Sequence, residues 1–324
     1  MLTVIMASRN GAGWLKETLD AFAALHPPEG GWKLVVVDNG STDRTSAVVR
    51  GFQQRLPLTA LHQARPGKNA ALNLALEEAE GDLVVFTDDD VLPDPDWLLQ
   101  LRQAAADFPD TGVFGGRIDP CWPRPPARWI TDLVPLGLVY SLTVEREDGP
   151  CDPQWIWGPN MMVRSALLEG GHRFDEEVGP DGTMAYRMGS ETTFTKELAA
   201  QGARCRHVAR ARVRHMIRPF QMKRSWILGR AFRAGRGYWE PEPERVAILG
   251  VPRHILREVG EAAGRWAVAR LRGNARERFR AAWDLNFWRG VLHEAWINRA
   301  RPKRRADASR PGARDRTALS AGPD

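Results

Sequence analysis

The sequence predicts an α/β protein: parallel strands covered by helices, followed by a basic α-helical extension. Three observations carry that prediction. Over the first 120 residues short apolar runs alternate with amphipathic stripes, the pattern of strand–helix–strand units. Three of those runs end in polar clusters, Ser8-Arg9-Asn10, Asp38-Asn39-Gly40 and Asp88-Asp89-Asp90, as buried strands do where they meet solvent. From Ser225 onward apolar residues recur at helical spacing among many arginines.

Leu2–Ala7 reads as the first strand, and the turn Ser8-Arg9-Asn10-Gly11 leads into a helical stripe of Leu15, Leu19, Phe22 and Leu25. Leu34–Val37 is a second strand. Ser41 or Thr42 is placed to cap a helix running to about Arg55. A strand near Leu58–His62 and a helix from Lys68 to Glu78 follow, and the strand Leu83–Thr87 then reaches the acidic triplet. Parallel strands need right-handed crossovers, and ligands in such sheets bind beyond the carboxyl ends of the strands. Asn10, Asp38 and Asp88 are therefore expected to line one crevice. After Gly112–Ile118 the pattern becomes irregular, with Pro- and Trp-rich loops at Cys121–Trp129 and Asp152–Pro159. A strand at Met161–Val163, a helix over Glu191–Gln201 and a strand at Ala211–Arg214 are expected beyond them. Two helical stripes close the reading: Ile255, Val259, Ala262, Trp266 and Ala269, then Phe279, Trp283, Phe287, Val291 and Ala295. These boundaries divide the chain into an α/β domain over 1–220, a basic amphipathic helical extension over 221–300 and a tail over 301–324, whose low apolar content predicts disorder.

The chain has 324 residues, 43% hydrophobic and 27% charged, as soluble globular proteins do. Its three cysteines are scattered, which fits neither a disulfide framework nor a zinc site. The N-terminus lacks a signal-peptide pattern, and no run reaches the ~18 apolar residues of a membrane span. A cytoplasmic protein is expected. The net charge of +6 hides an asymmetry: residues 1–200 hold 17 Lys and Arg against 29 Asp and Glu, and residues 201–324 hold 29 against 11. The basic part calls for an anionic partner, and nucleic acid and a phospholipid surface both match on charge.

Side chains alternate along a strand, so Asp88 and Asp90 are expected to point one way and Asp89 the other. Two converging carboxylates repel unless a cation lies between them. A hard divalent ion completed by phosphate oxygens meets that need. A lone acidic triplet is more often a solvated turn, but the buried strand before it and the shared crevice favour a site.

Five segments together resemble the family 2 glycosyltransferases of the GT-A fold: Ser8-Arg9-Asn10-Gly11, Val35 to Asp43, Gly67-Lys68-Asn69-Ala70-Ala71-Leu72-Asn73, Phe86-Thr87-Asp88-Asp89-Asp90 and Trp157-Gly158-Pro159-Asn160. They stand in the family's order and cover roughly residues 1–220. Each is weak alone; five in order are specific. The resemblance implies a Rossmann-like mixed sheet flanked by helices, a nucleotide-diphospho-sugar donor (a UDP-sugar), and an inverting displacement assisted by Mg²⁺ or Mn²⁺. It also implies roles. Asp38 would read the uracil, or else cap a helix. Arg65 and Lys68 would lie near the diphosphate, or else form a solvated basic turn. Ser8, Asn10 and Asn160 belong to matched donor-binding segments. Asp88 and Asp90 correspond to the DxD pair, with Asp90 as metal ligand, Asp88 near ribose and metal, and Asp89 a bystander. Asn73 is expected to bond a neighbouring loop.

An inverting enzyme needs a base for the acceptor hydroxyl, and the resemblance gives that position to Glu191 in Gly189-Ser190-Glu191. The segment departs from the family's acidic pair at Ser190, and Glu191 could instead favour a helix N-terminus by its charge. His215 is a candidate metal or diphosphate ligand, with a structural role equally open, and Arg218 a candidate phosphate contact. Gln221-Met222-Lys223-Arg224-Ser225-Trp226 misses the Gln-x-x-Arg-Trp motif of processive synthases by one residue, which points to single-sugar transfer. The acceptor implied is a carbohydrate, an envelope polysaccharide or a lipid-linked sugar, and the arginine-rich helical stripes could meet an anionic membrane or pack on one another. Two alternatives stay open. A sugar-phosphate nucleotidyltransferase can share such a sheet, but its Gly-rich basic loop is not evident in Ser8–Gly13. A non-enzymatic nucleic-acid-binding protein matches the basic half, but no nucleic-acid module is present and the acidic crevice goes unexplained. No Gly-x-Gly-x-x-Gly follows any expected strand, against a dinucleotide enzyme.

Overall fold

The computed structural model describes residues 1–143, 146–240 and 247–299, so the tail expected from 301 lies outside the described residues. The chain forms two compact units, Met1–Pro125 with Tyr140–Pro219, and Pro126–Val139 with the chain from Phe220 onward. Residues 126–139 thus leave the N-terminal stretch to join the second unit.

Nine strands of the first unit form one sheet: β1 (Leu2–Ser8), β2 (Trp32–Asp38), β3 (Leu58–His62), β4 (Leu83–Asp88), β5 (Val91–Pro93), β6 (Thr111–Cys121), β7 (Gly149–Pro150), β8 (Met161–Arg164) and β9 (Arg204–Met216). Their order is β3-β2-β1-β4-β8-β6-β9-β5, with β7 paired to β9. The first four are mutually parallel, and their central residues, among them Ile5, Val35, Val36, Val84 and Val85, are buried. Strands covered on both faces must be apolar throughout, which is why those runs read so clearly. The sheet is mixed because β8 lies antiparallel to both β4 and β6. Register brings the strand ends level: Ser8 faces Asp38 across β1 and β2, and Ala7 faces Asp88 across β1 and β4.

Three local expectations need correction. The second helix starts at Thr45 with Arg44 at its cap; Ser41 instead accepts a hydrogen bond from the Asn10 backbone N–H at 3.0 Å. Strand β9 is thirteen residues long, far beyond Ala211–Arg214. Its exposed arginines alternate with buried His207, Ala211, Val213 and His215, so an apolar-run reading stops short. Residues in Cys121–Trp129 and Asp152–Pro159 are loops as expected, except for short helical turns at Pro153–Trp155 and Gly158–Asn160 and a helix beginning at Arg128.

In the second unit the helices Arg224–Tyr238, Arg253–Arg272 and Ala275–Ile297 accompany a small hairpin, Ala247–Ile248 with Val251–Pro252. The two helical stripes turn inward: Ile255, Val291 and Ala295 share a buried cluster with Val251, backed by Val259 and Phe287. An Asn274–Glu277 capping box starts the last helix. That helix touches Arg224–Tyr238 backbone to backbone through two glycines. A Cβ at Gly290 would lie 2.0 Å from the Phe232 carbonyl oxygen, and one at Gly235 1.9 Å from that of Phe287. Gly290→Ala is therefore expected to lower stability by about 3 kcal/mol, as overpacking does. Denaturant unfolding of the full chain checks this; an unchanged midpoint would show that the helices separate without cost. Among the described residues no helix is long and apolar enough to cross a membrane.

Candidate active site

The carboxyl ends of β1, β2 and β4 finish level with one another at Ser8, Asp38 and Asp88. Asp38 is buried. One of its oxygens accepts from the Ser41 N–H at 3.0 Å and the other from the Ser46 hydroxyl. Burial alone would raise its pKa, but these bonds and the nearby His62 outweigh it and hold the carboxyl below the usual range. Asn10, at φ 53°, pins the same loop: its Oδ1 accepts from the Thr42 N–H at 2.8 Å. The buried Asn39 accepts from the Gly67 N–H at 3.2 Å and so ties the loop after β2 to the helix Lys68–Leu76.

Lys68, at the start of that helix, joins two carboxylates. Its Nζ lies 2.6 Å from Asp88 Oδ1 and 3.2 Å from Glu191 Oε1. Burial would lower the lysine pKa, but Asp88 and Glu191 overcome it and raise the value, so Lys68 is a cation at every working pH. Glu191 stands in the first turn of Ser190–Ala200, with its other oxygen accepting from Ser190 Oγ at 3.0 Å. Its pKa is lowered: burial opposes the shift, while Lys68, a backbone N–H and Ser190 drive it. The carboxylate reaches this place because residue 158 is glycine. A Cβ there would lie 2.6 Å from Glu191 Oε1.

Strand β4 ends at Asp88, so Asp89 and Asp90 form the turn before β5, and the three carboxylates divide by partner. Asp88 meets Lys68. Buried Asp90 pairs with Arg218 and lies 3.4 Å from His215 Nε2. Burial disfavours its charge, but His215, Arg218 and Lys68 together hold the pKa low. The His215 pKa is raised: burial opposes it, and Asp90 and the Tyr140 carbonyl, which accepts from Nδ1 at 2.7 Å, outweigh burial. The strand pair β5–β9 sets this geometry by placing Val91 opposite His215. Asp89 is no bystander. It accepts from Ser8 Oγ, and its backbone carbonyl accepts from Thr18 Oγ1 at 2.8 Å, which fixes the triplet to β1 and the first helix. Burial and the charge of Asp90 raise the Asp89 pKa.

One expected residue is committed elsewhere. Asn160 is fully buried, and its amide is spent on the Arg117 carbonyl at 3.0 Å, the Ala211 carbonyl at 2.8 Å and the Trp97 indole at 2.9 Å. With both donors and the acceptor engaged between strands, it has no group to offer a ligand, and its role is to lock β6 to β9. Arg65 is exposed on the loop after β3. Asn73 bonds the neighbouring loop as expected, donating to the Phe174 carbonyl at 3.0 Å and accepting from its N–H at 2.9 Å. Sequence reasoning overlooked Gly158 and Trp14, whose ring carries the Arg218 guanidinium at 4.1 Å. Gly158 stands in the matched Trp157-Gly158-Pro159-Asn160 segment, but its contact with Glu191, 33 residues further on, leaves no trace in the sequence.

The donor set suits a divalent cation. With Nδ1–H committed to the Tyr140 carbonyl, His215 turns Nε2 toward Asp90, and a divalent cation would take the place of the proton that Nε2 shares with that carboxylate, in the arrangement that orients metal-binding imidazoles. Two ligand atoms 3.4 Å apart are near the ~3 Å separation of adjacent ligands around an ion bound at ~2.1 Å. Among the described residues no three His, Cys, Asp or Glu side chains are grouped to hold an ion alone, so an ion held by Asp90 and His215 would need water or a bound molecule to complete its shell.

Comparison with known proteins fits this geometry. The chain is 26% identical over 254 residues to the succinoglycan biosynthesis protein ExoM of Rhizobium meliloti, covering 77% of this chain and 75% of that protein. It is 30% identical over 217 residues to the validoxylamine A glucosyltransferase of Streptomyces hygroscopicus, covering 58% of this chain and 51% of that protein. Among solved structures, the fold matches the mannosyltransferase PcManGT of Pyrobaculum calidifontis in complex with GDP-Man and Mn²⁺, with a TM-score of 0.60 at 22% identity over 91% of this chain and 87% of that one. It also matches S. aureus TarS 1–349 in complex with UDP-GlcNAc, with a TM-score of 0.53 at 17% identity over 90% of each chain. The model of glycosyl transferase family 2 matches residues 3–166, across the three strand ends and the acidic triplet, and the chain is a glycosyltransferase of that family.

Proposed function

We propose that this glycosyltransferase moves a single sugar from a UDP-sugar to an envelope, polysaccharide or lipid-linked acceptor, with Mg²⁺ or Mn²⁺ and with inversion at the anomeric carbon. The observation that carries the reading is the meeting of Asp88, Asp90 and Glu191 with Lys68, His215 and Arg218 at the carboxyl edge of one sheet. Residues 1–220 supply the chemistry in this reading and 221–300 form the helical extension. The GDP-Man and UDP-GlcNAc complexes of the two fold relatives support a nucleotide-diphospho-sugar as donor class. Asp38 suits a base N–H, which uracil and guanine both carry, and the choice of uridine rests on the resemblance of its segment to the family's uracil-reading position.

Asp90 and His215 would hold the metal, with Asp88 beside it. A bound divalent ion would stabilise negative charge on the departing nucleoside diphosphate. Arg218 and Lys68 are released from carboxylates to diphosphate oxygens when the donor binds, because phosphate offers each cation a stronger anion. Loss of the Lys68 contact lifts the Glu191 pKa toward its ordinary range and makes it a better base. Glu191 then takes the proton of the acceptor hydroxyl as that oxygen attacks the sugar carbon.

Thermal shift with UDP- and GDP-sugars, with and without Mn²⁺, tests the reading. A UDP-sugar at a hundred times its Kd should stabilise the protein by about 2.7 kcal/mol, and only with the metal. Stabilisation by GDP-sugars alone would move the base assignment away from uridine. Diphosphate release from a nucleoside triphosphate and a sugar phosphate would replace the reading by nucleotidyl transfer.

A further inference from the structure

In the second unit, the turn between Ala247–Ile248 and Val251–Pro252 is made by Leu249 and Gly250, with φ of 52° and 81°. A two-residue hairpin with both central φ values positive favours Asn-Gly. Leucine is strained in that position. Leu249 is also 79% exposed, so its side chain contributes almost nothing to the core. Strain without burial marks a residue kept for something outside the fold. Leu249 is not isolated. With Ile248, Leu256, Trp296 and Arg289 it lines an open apolar groove of about 550 Å³. Ile248 and Trp296 are themselves 45% and 44% exposed. Arg299 connects tip and groove: its guanidinium covers the Trp296 ring at 3.8 Å, and its Cβ lies 3.0 Å from where a Cβ on Gly250 would stand.

We infer that this face of the second unit docks on an anionic phospholipid bilayer, with Ile248 and Leu249 entering the acyl region and Arg289 and Arg299 meeting the headgroups. Charge calls for an anionic surface, since residues 201–324 hold 29 basic against 11 acidic side chains, and the exposed Ile248, Leu249 and Trp296 select a bilayer over a nucleic acid. An exposed apolar tip beside a tryptophan and arginines is the composition of a membrane interface. The surface is not the one the helical stripes point to, since those stripes pack against each other. Nor does it depend on the sugar chemistry proposed above.

Co-sedimentation of the full chain with vesicles tests it, using phosphatidylcholine alone and phosphatidylcholine with phosphatidylglycerol. The chain should sediment with the anionic vesicles, less so as salt is raised, and weakly with the neutral ones. Leu249→Asn should cut that partition about tenfold, the worth of one large apolar side chain. Its thermal midpoint should hold or rise, because asparagine is at home at positive φ. Ile248→Thr, a strand former one residue earlier, should weaken binding in the same direction. Equal sedimentation of parent and variants, or equal binding to neutral and anionic vesicles, would overturn the inference. A dimer in solution that Leu249→Asn dissolves would assign the face to a second copy and also overturn it.

Discussion

Glu191→Gln is expected to reduce sugar transfer by about 10³-fold while leaving donor affinity within a few-fold of the parent. Glutamine fills the same space beside Gly158 and can still meet Ser190 and Lys68, so the site keeps its shape. It has no carboxylate to receive the acceptor proton. The loss belongs in kcat, with donor KM nearly unchanged, because Glu191 touches the acceptor side of the proposed reaction. The parent's pH profile gives a second check. A group with a lowered pKa is ionised down to below its ordinary range. In the free enzyme, the acid limb of kcat/KM is therefore expected below the usual glutamate value. A glutamine variant with parental kcat would end the assignment of Glu191 as base.

Removal of Asp90 is the second large effect, and it reaches both chemistry and fold. Asp90 is the shared anion of Arg218 and His215. Asp90→Ala removes the carboxylate that Arg218 and His215 share, and breaking a buried pair costs about 3–5 kcal/mol. The alanine variant is thus expected to lose transfer and to melt earlier. Asp90→Asn separates the two effects. Its amide keeps the volume and one oxygen, so the fold should survive with a smaller loss of midpoint, while transfer falls about 10³-fold and its response to Mn²⁺ disappears. Measurement of turnover against Mn²⁺ concentration decides the matter. Metal-dependent turnover retained in Asp90→Asn would remove Asp90 from the metal site.

The sequence made the donor side of the site readable and hid the other side, for physical reasons. Strands β1, β2 and β4 are buried on both faces, so they are continuous apolar runs, and their polar ends mark themselves. Register then aligns Ser8, Asp38 and Asp88 with no further information. Strand β9 carries arginines on one face, so only Ala211–Arg214 reads as a strand beside His215, and the stretch from Arg204 stays hidden. Asn160 shows the opposite failure. It belongs to a matched segment, but only the fold reveals that Trp97, Arg117 and Ala211 consume its amide. Contacts far apart in sequence, such as Lys68 with Glu191 and Ser8 with Asp89, leave no periodic trace and become visible only in three dimensions.

The antiparallel insertion of β8 beside β4 has a consequence for biosynthesis. Residues 1–88 can assemble four parallel strands from neighbouring segments as they leave the ribosome. Strand β4 then waits with an open edge until Met161–Arg164 arrives to cover it. Unpaired edges invite wrong partners. The interval between residues 88 and 164 is therefore the vulnerable stretch of translation, and premature termination within it should yield insoluble fragments. The carboxylate of Asp90 emerges early, but its cationic partner Arg218 emerges 128 residues later. Folding and chemical competence are thus acquired at different moments of synthesis.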